Sequence, residues 1–188
     1  MIEAFSHVAT AFGLSSSAGL NAYLPLLIVA LAAKFNFLTL NKPWDVMTDW
    51  WVIGVIAVLL LIEMTVDKIP AVDTLNDVIQ TVGRPVAGAI LFAASSGVVG
   101  DVHPVLAFSA GLLLAGGVHA VKATARPMVT ATTAGVGNWV ISLIEDILAL
   151  IMALLAILLP ILVVLMIGFA LLLFVWWRSR RRTRAYAA

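Results

Sequence analysis

NWVISLIEDILALIMALLAILL, residues 138–159, decides the fold. The run is long enough to cross a bilayer as one helix, since about 20 apolar residues cover the hydrocarbon core. It also carries an adjacent acidic pair, Glu145 and Asp146, that a lipid-facing helix would not hold. An ionised carboxylate in hydrocarbon costs at least about 2.5–3.5 kcal/mol, so such a group faces a bundle interior, a partner or a water-filled path. Neighbours on a helix point about 100° apart, so the two short side chains cannot both escape to one interface. A second run, VIGVIAVLLLI at 52–62, leads into Glu63 and Asp67 in the same manner.

Working outward, residues 139–177 form one apolar stretch of 39 residues broken only by Glu145, Asp146 and Pro160. At 1.5 Å per residue this is roughly 58 Å, about twice the hydrocarbon thickness, so a turn near Pro160 is expected. The whole chain of 188 residues is 63% hydrophobic and 11% charged, with a mean hydropathy of +1.11. Those values exclude an ordinary soluble domain and identify an integral membrane protein. Short alternating strands are absent, so a barrel is not expected. There is no cysteine, hence no disulfide framework and no thiolate metal site.

Six apolar segments are marked, at about 8–33, 51–66, 85–99, 104–121, 138–158 and 161–177. The fold class is therefore all-α and polytopic, with about six transmembrane helices in a single domain over 1–177 and a basic tail at 178–188. MIEAFSHVATAFGL lacks the basic region of a signal peptide and is read as the start of the first membrane segment. Placing both termini in the cytoplasm puts Lys68, Arg84, Lys122, Arg126 and the arginines of RSRRRTR inside, against Lys34 and Lys42 outside. Trp44, Trp50 and Trp51 then mark the outer interface and Trp176 and Trp177 the inner one. The tail acts as a topology anchor that attracts anionic lipid; the partner is the bilayer, not nucleic acid. A bacterial inner membrane is the expected location. AFGLSSSAGLNA (11–22) resembles AFSAGLLLAGGVHA (107–120), which suggests two inverted three-helix repeats of the kind used by transporters.

EMTVDKIPAVDTLNDVIQTVGRP, residues 63–85, is the richest polar stretch. Asp73, Asn76, Asp77, Gln80 and Arg84 recur at spacings of three and four, placing them on one face of a helix that starts after Pro70. Residues 70–84 are thus an amphipathic segment, either lying in the interface with solvated acids or folded back so that Asp73 and Asp77 meet Glu63 and Asp67. With both termini inside, Glu63 and Glu145 fall in the inner half of the bilayer and form one site if their helices touch. Alternatively an acid of the Glu145-Asp146 pair takes Arg126 or Arg84 as its partner. Asn138 is a candidate helix N-cap. ARPMVTATTAGVGN (125–138) reads as a loop or a broken-helix element lining a cavity, with SSSAGLNAYLP (15–25) as its counterpart; the small residues there equally suit close helix packing. His7, His103 and His119 lack metal-ligand spacing. No nucleophile elbow, phosphate-binding loop or zinc-protease motif is present, so an enzyme is not expected.

The combination AGLNAYLPLL, E-x3-DKIPAVDTLNDVIQTVGRPVAGA, KATARPMVTATTAGVGN and SLIEDILAL resembles the bacterial membrane family catalogued as domain of unknown function 4126, over roughly residues 5–160. The resemblance implies a compact polytopic protein and marks Glu63, Asp67, Asp73, Asp77, Asn138, Glu145 and Asp146 as part of the family pattern. Glu63-Met-Thr-Val-Asp67-Lys68 is also somewhat similar to the E-x-G-D-K/R-S/T element of small cation/proton exchangers, with a wider acid spacing and no glycine.

These readings converge on a small transporter or channel, for a cation and proton-coupled. Glu63, Asp67, Glu145 and Asp146 form its central ion or metal site, and Asp73, Asn76, Asp77 and Asn138 complete or gate it. Carboxylates suit both tasks, because desolvation raises their proton affinity while a bound cation lowers it. No cofactor is implied, and a homodimer or higher oligomer is expected. The alternative is a non-transporting scaffold or lipid-interacting protein whose acids pair with Arg84, Arg126, Lys68 and Lys122. Paired acids each need a basic neighbour; a transport site leaves several acids converging on a polar cavity.

Overall fold

The computed structural model describes residues 2–40, 42–66, 70–96, 103–133 and 136–160, together with 162, 168, 169, 172, 173 and 176. Every regular element among them is helical: α1 (Ile2–Ala18), α2 (Tyr23–Lys34), a short 3-10 turn (Trp44–Thr48), α3 (Trp50–Val66), α4 (Pro70–Ser96), α5 (Pro104–Thr133) and α6 (Val136–Leu158). Within α4, α5 and α6 lie three stretches long and apolar enough to cross a membrane, while α2 and α3 are shorter apolar helices. Asp67, Lys68, most of the expected sixth segment at 161–177, and the basic tail fall outside the described residues. Helix α6 ends at Leu158, two residues before Pro160, where a break was expected.

The helices are packed inside out relative to a soluble bundle. On α6 the buried stripe is Asn138, Ser142, Glu145, Asp146, Ala149, Ala153 and Ala156, whereas Trp139, Ile144, Ile147, Ile151 and Leu158 are exposed. Likewise α4 buries Asn76, Gln80 and Arg84 and exposes Val78, Ile79 and Val82. Large apolar side chains facing outward with small and polar ones inward is the arrangement a hydrocarbon solvent selects, because helix association there relies on close backbone approach and interhelical hydrogen bonds. This corrects the reading of 70–84 as a separate interfacial or re-entrant piece. The segment is the first half of one helix that continues through Pro85 to Ser96, with Asn76, Gln80 and Arg84 turned inward. The segment expected at 104–121 similarly continues as α5 to Thr133, so most of 125–138 is helix, not loop. Asn138 lies inside α6 and is not its N-cap.

The largest correction concerns 8–33, read as a single crossing. Helices α1 and α2 meet at Gly19–Ala22, and their far ends come back together: Ser6, His7 and Thr10 line one cavity with residues 36–40, Ser95 and Ile157. The segment is a hairpin that enters and leaves at the same end of the bundle, here termed the loop end. Side-chain bonds fix the directions. Thr10 Oγ1 donates to the Ala156 carbonyl at 2.8 Å and Ser17 Oγ to that of Ala149 at 2.7 Å, so α1 and α6 are antiparallel. Ser15 Oγ donates to the Gly111 carbonyl at 2.9 Å, and Lys122 reaches the Leu20 carbonyl, so α1 and α5 run parallel. The inverted relation expected between 11–22 and 107–120 is thereby corrected: both stretches descend from the loop end, because the hairpin adds a reversal the hydropathy pattern does not display. The start of α1 lies at the end of the bundle that holds residues 36–40.

Helix α1 is the axis of the bundle, with Ala9, Thr10, Ala11 and Leu14 to Ala18 all buried. Its hydroxyls serve as interhelical bonds, each worth about 0.6–2 kcal/mol in a membrane. Replacing Ser17 by Ala is therefore expected to lower stability by about 1 kcal/mol in detergent unfolding. A loss well above this would mean that Ser17 does more than hold α1 to α6.

Candidate functional site

Ending a helix inside a membrane leaves backbone groups without partners, and each needs one. At the hairpin tip, ionisable side chains supply them. The Glu63 carboxylate, on α3, accepts from the Ala22 N–H at 3.1 Å and the Tyr23 N–H at 3.4 Å, which form the amino-terminal end of α2. An acid at that end also complements the helix dipole. Asn21 caps the same helix through Oδ1, which accepts from the Leu24 N–H at 2.9 Å. Its Nδ2 donates to Asp146 Oδ1 at 2.9 Å. At the end of α1, the Leu20 carbonyl accepts from Lys122 Nζ at 3.2 Å.

Two ion-paired groups flank this tip. On one side Arg84, fully buried on α4, donates through Nη2 and Nε to Glu63 Oε1 at 3.1 and 3.3 Å. Its Nη1 lies 3.0 Å from His119 Nδ1. Arginine has only donors, so that ring nitrogen accepts; His119 is then neutral, with Nε2–H directed at Thr81 Oγ1, 3.2 Å away. On the other side Glu145 Oε2 receives Lys122 Nζ at 2.8 Å and Arg126 Nη2 at 3.1 Å. Asn138 and Thr130 close the group from below through a reciprocal pair of bonds at 2.8 and 3.1 Å.

The expected site residues are thus distributed as follows. Glu63, Glu145 and Asp146 are all buried around the tip, Asn138 is buried two turns before Glu145 on α6, and Asn76 is buried on α4. Glu145 and Asp146 diverge as their spacing requires, the first toward α5 and the second toward Asn21. Asp67 and the side chains of Asp73 and Asp77 lie outside the described residues. Among the described residues, the tip stands between Glu63 and the Glu145-Asp146 pair, and Lys122 bridges it to Glu145. Among the described residues no three His, Asp or Glu side chains gather as a metal site would require.

The buried charges around the tip among the described residues are Glu63, Glu145 and Asp146 against Arg84, Lys122 and Arg126, which balance. Residues 8–180 match the family described as Domain of unknown function (DUF4126). The chain belongs to this family. No curated protein and no solved structure matches it.

In this DUF4126 chain, sequence reasoning missed Asn21 and His119 as members of the site. Asn21 was grouped with the small residues of 15–25, yet an asparagine following Ser-Ser-Ser-Ala-Gly-Leu within an apolar segment is the signal of a helix break. His119 falls on the stripe Ala115, His119, Lys122 and Arg126, which shares one face of α5. Read together, those spacings place the histidine with the two cations.

Proposed function

We propose that this membrane protein is a small proton-coupled transporter in which the α1-α2 hairpin is the moving element and Glu63 and Glu145 are the groups that take up the proton. One observation carries the reading: both ends of the buried helix break are held by ionisable side chains, Glu63 on the Ala22 N–H and Lys122 on the Leu20 carbonyl. Protonating Glu63 weakens its bonds to Arg84 and to α2 together; protonating Glu145 frees Lys122 and Arg126 from their shared partner. Discontinuous helices whose ends meet charged groups near mid-membrane are a recurrent device of secondary transporters. Positive charge on the inner side would place the loop end outside and the acids nearer the cytoplasmic face of a bacterial inner membrane, and a homodimer or higher oligomer belongs to the same reading. The cation that exchanges with the proton is a small inorganic one.

A second reading has its own support. Glu63 and Glu145 each have a basic partner, and Asp146 has an amide one. That is the pattern of a scaffold or lipid-interacting protein whose acids serve only cohesion.

Reconstitution into liposomes with entrapped pH and divalent-cation dyes separates the two. Under an imposed cation gradient, wild type should move protons, and Glu63→Gln and Glu145→Gln should each lower the rate at least about tenfold, the equivalent of 1.4 kcal/mol. Absence of flux across mono- and divalent cations, with both variants as well folded as wild type, would replace the transporter by the scaffold.

A further inference from the structure

We infer that the seam between α1 and α6 is the path by which water-borne protons reach the acids from the loop end, and that Leu14 is the plug that closes it. The inference rests on the transport reading and gives it a route. At its mouth is a cavity of about 290 Å³ between the open arms of the hairpin, lined by Thr10 and by Ser95. With roughly 30 Å³ per molecule, such a volume holds several waters. Ser95 is 7% exposed and its Oγ has no hydrogen-bond partner among the described residues, so the site has a buried polar group that a water would satisfy.

From that mouth the seam descends along one face of α1. Thr10, Leu14, Ser17 and Asn21 follow at spacings of four, three and four, which keeps them in line on a helix. Three of the four are polar, and the last bonds Asp146 directly. Opposite them α6 presents Ala156, Ala153 and Ala149, whose side chains end at Cβ. The bonds from Thr10 to Ala156 and from Ser17 to Ala149 set Leu14 level with Ala153. Leu14 and Ala153, both fully buried, belong to one apolar cluster. Leu14 thus stands between Thr10 at the cavity and the polar pair Ser17 and Asn21, which ends at Asp146. The facing alanines carry nothing beyond Cβ to fill its place once that side chain turns away.

The chain has no cysteine, so single thiols can be placed without background. Thr10→Cys and Ser17→Cys are made in the full protein, each with and without Leu14→Ala, and reconstituted in liposomes of one orientation. Silver ion, a thiol reagent close to water in size, is then added to the face exposing the loop end. Thr10→Cys should react in both backgrounds. Ser17→Cys should be protected when Leu14 is present and should react at least about tenfold faster with Leu14→Ala, a 1.4 kcal/mol change in closure; Leu14→Met should keep it protected. Unchanged helicity and gel-filtration elution of the Leu14→Ala protein show that the bundle is intact, and reaction of Thr10→Cys in it shows that the reagent reaches the mouth. If Ser17→Cys stays protected in that intact background, the seam is only helix packing and the inference falls. Labelling needs no flux: reactive Ser17→Cys in a protein that moves no protons would uphold the seam while removing the transport reading on its own.

Discussion

Replacing Arg84 by Met is expected to lower stability by about 3–5 kcal/mol, the range for stripping one partner from a buried ion pair. Arg84 is 0% exposed and Glu63 1%, so neither charge is relieved by solvent. Loss of the guanidinium removes the contacts at 3.1 and 3.3 Å to Glu63 and the one at 3.0 Å to His119. Glu63 then keeps the Ala22 and Tyr23 N–H groups but has lost its Arg84 counter-charge. Adding Glu63→Gln to Arg84→Met should restore much of the loss, because a neutral amide leaves no buried charge behind. Lys122→Met should cost less than Arg84→Met, since Glu145 retains Arg126. Reversible unfolding in mixed micelles, run as a double-mutant cycle, reads the coupling directly. A loss below about 1 kcal/mol for Arg84→Met would mean that water screens the pair and that the tip is wet.

The same pair illustrates how far the sequence could be read. Hydropathy located α3 and α6 to within a few residues, because a long apolar run with buried acids admits few alternatives, and found the start of α5 but not its end at Thr133. It merged α1 and α2 because both arms of a hairpin are apolar and a break of four residues does not lower a window average. The partners of the acids were legible as a set, Arg84, Arg126 and Lys122, but not which acid took which cation. That assignment depends on the hairpin, which inserts Asn21 and Ala22 between α3 and α6. The amphipathic pattern at 70–84 was legible but its surroundings were left open: the periodicity says that two faces differ, and only the packing of Asn76, Gln80 and Arg84 says which one is buried. Asp67, Asp73 and Asp77 remain candidates from the sequence alone.

Gly88→Ala should destabilise by about 1–3 kcal/mol, whereas Gly117→Ala should be neutral or stabilising by up to about 1 kcal/mol. The two changes are chemically identical and both fall in helix interiors. A Cβ at Gly88 would come within 2.9 Å of the Gly111 carbonyl oxygen and of Ser15 Oγ, while at Gly117 it would meet nothing within 4 Å. The carbonyl is fixed by α5 and itself accepts the Ser15 hydroxyl, so the crossing of α1, α4 and α5 has no soft atom to yield. Gly88 stands one turn from Arg84, so pushing α4 outward there also draws the guanidinium away from Glu63 and His119. The Gly88→Ala protein should therefore show weakened Glu63-Arg84 coupling in the same double-mutant cycle, with both charges still present. Full coupling in a destabilised Gly88→Ala protein would show instead that the crossing and the ion pair are mechanically separate, and that the depth of the hairpin is set at its tip alone.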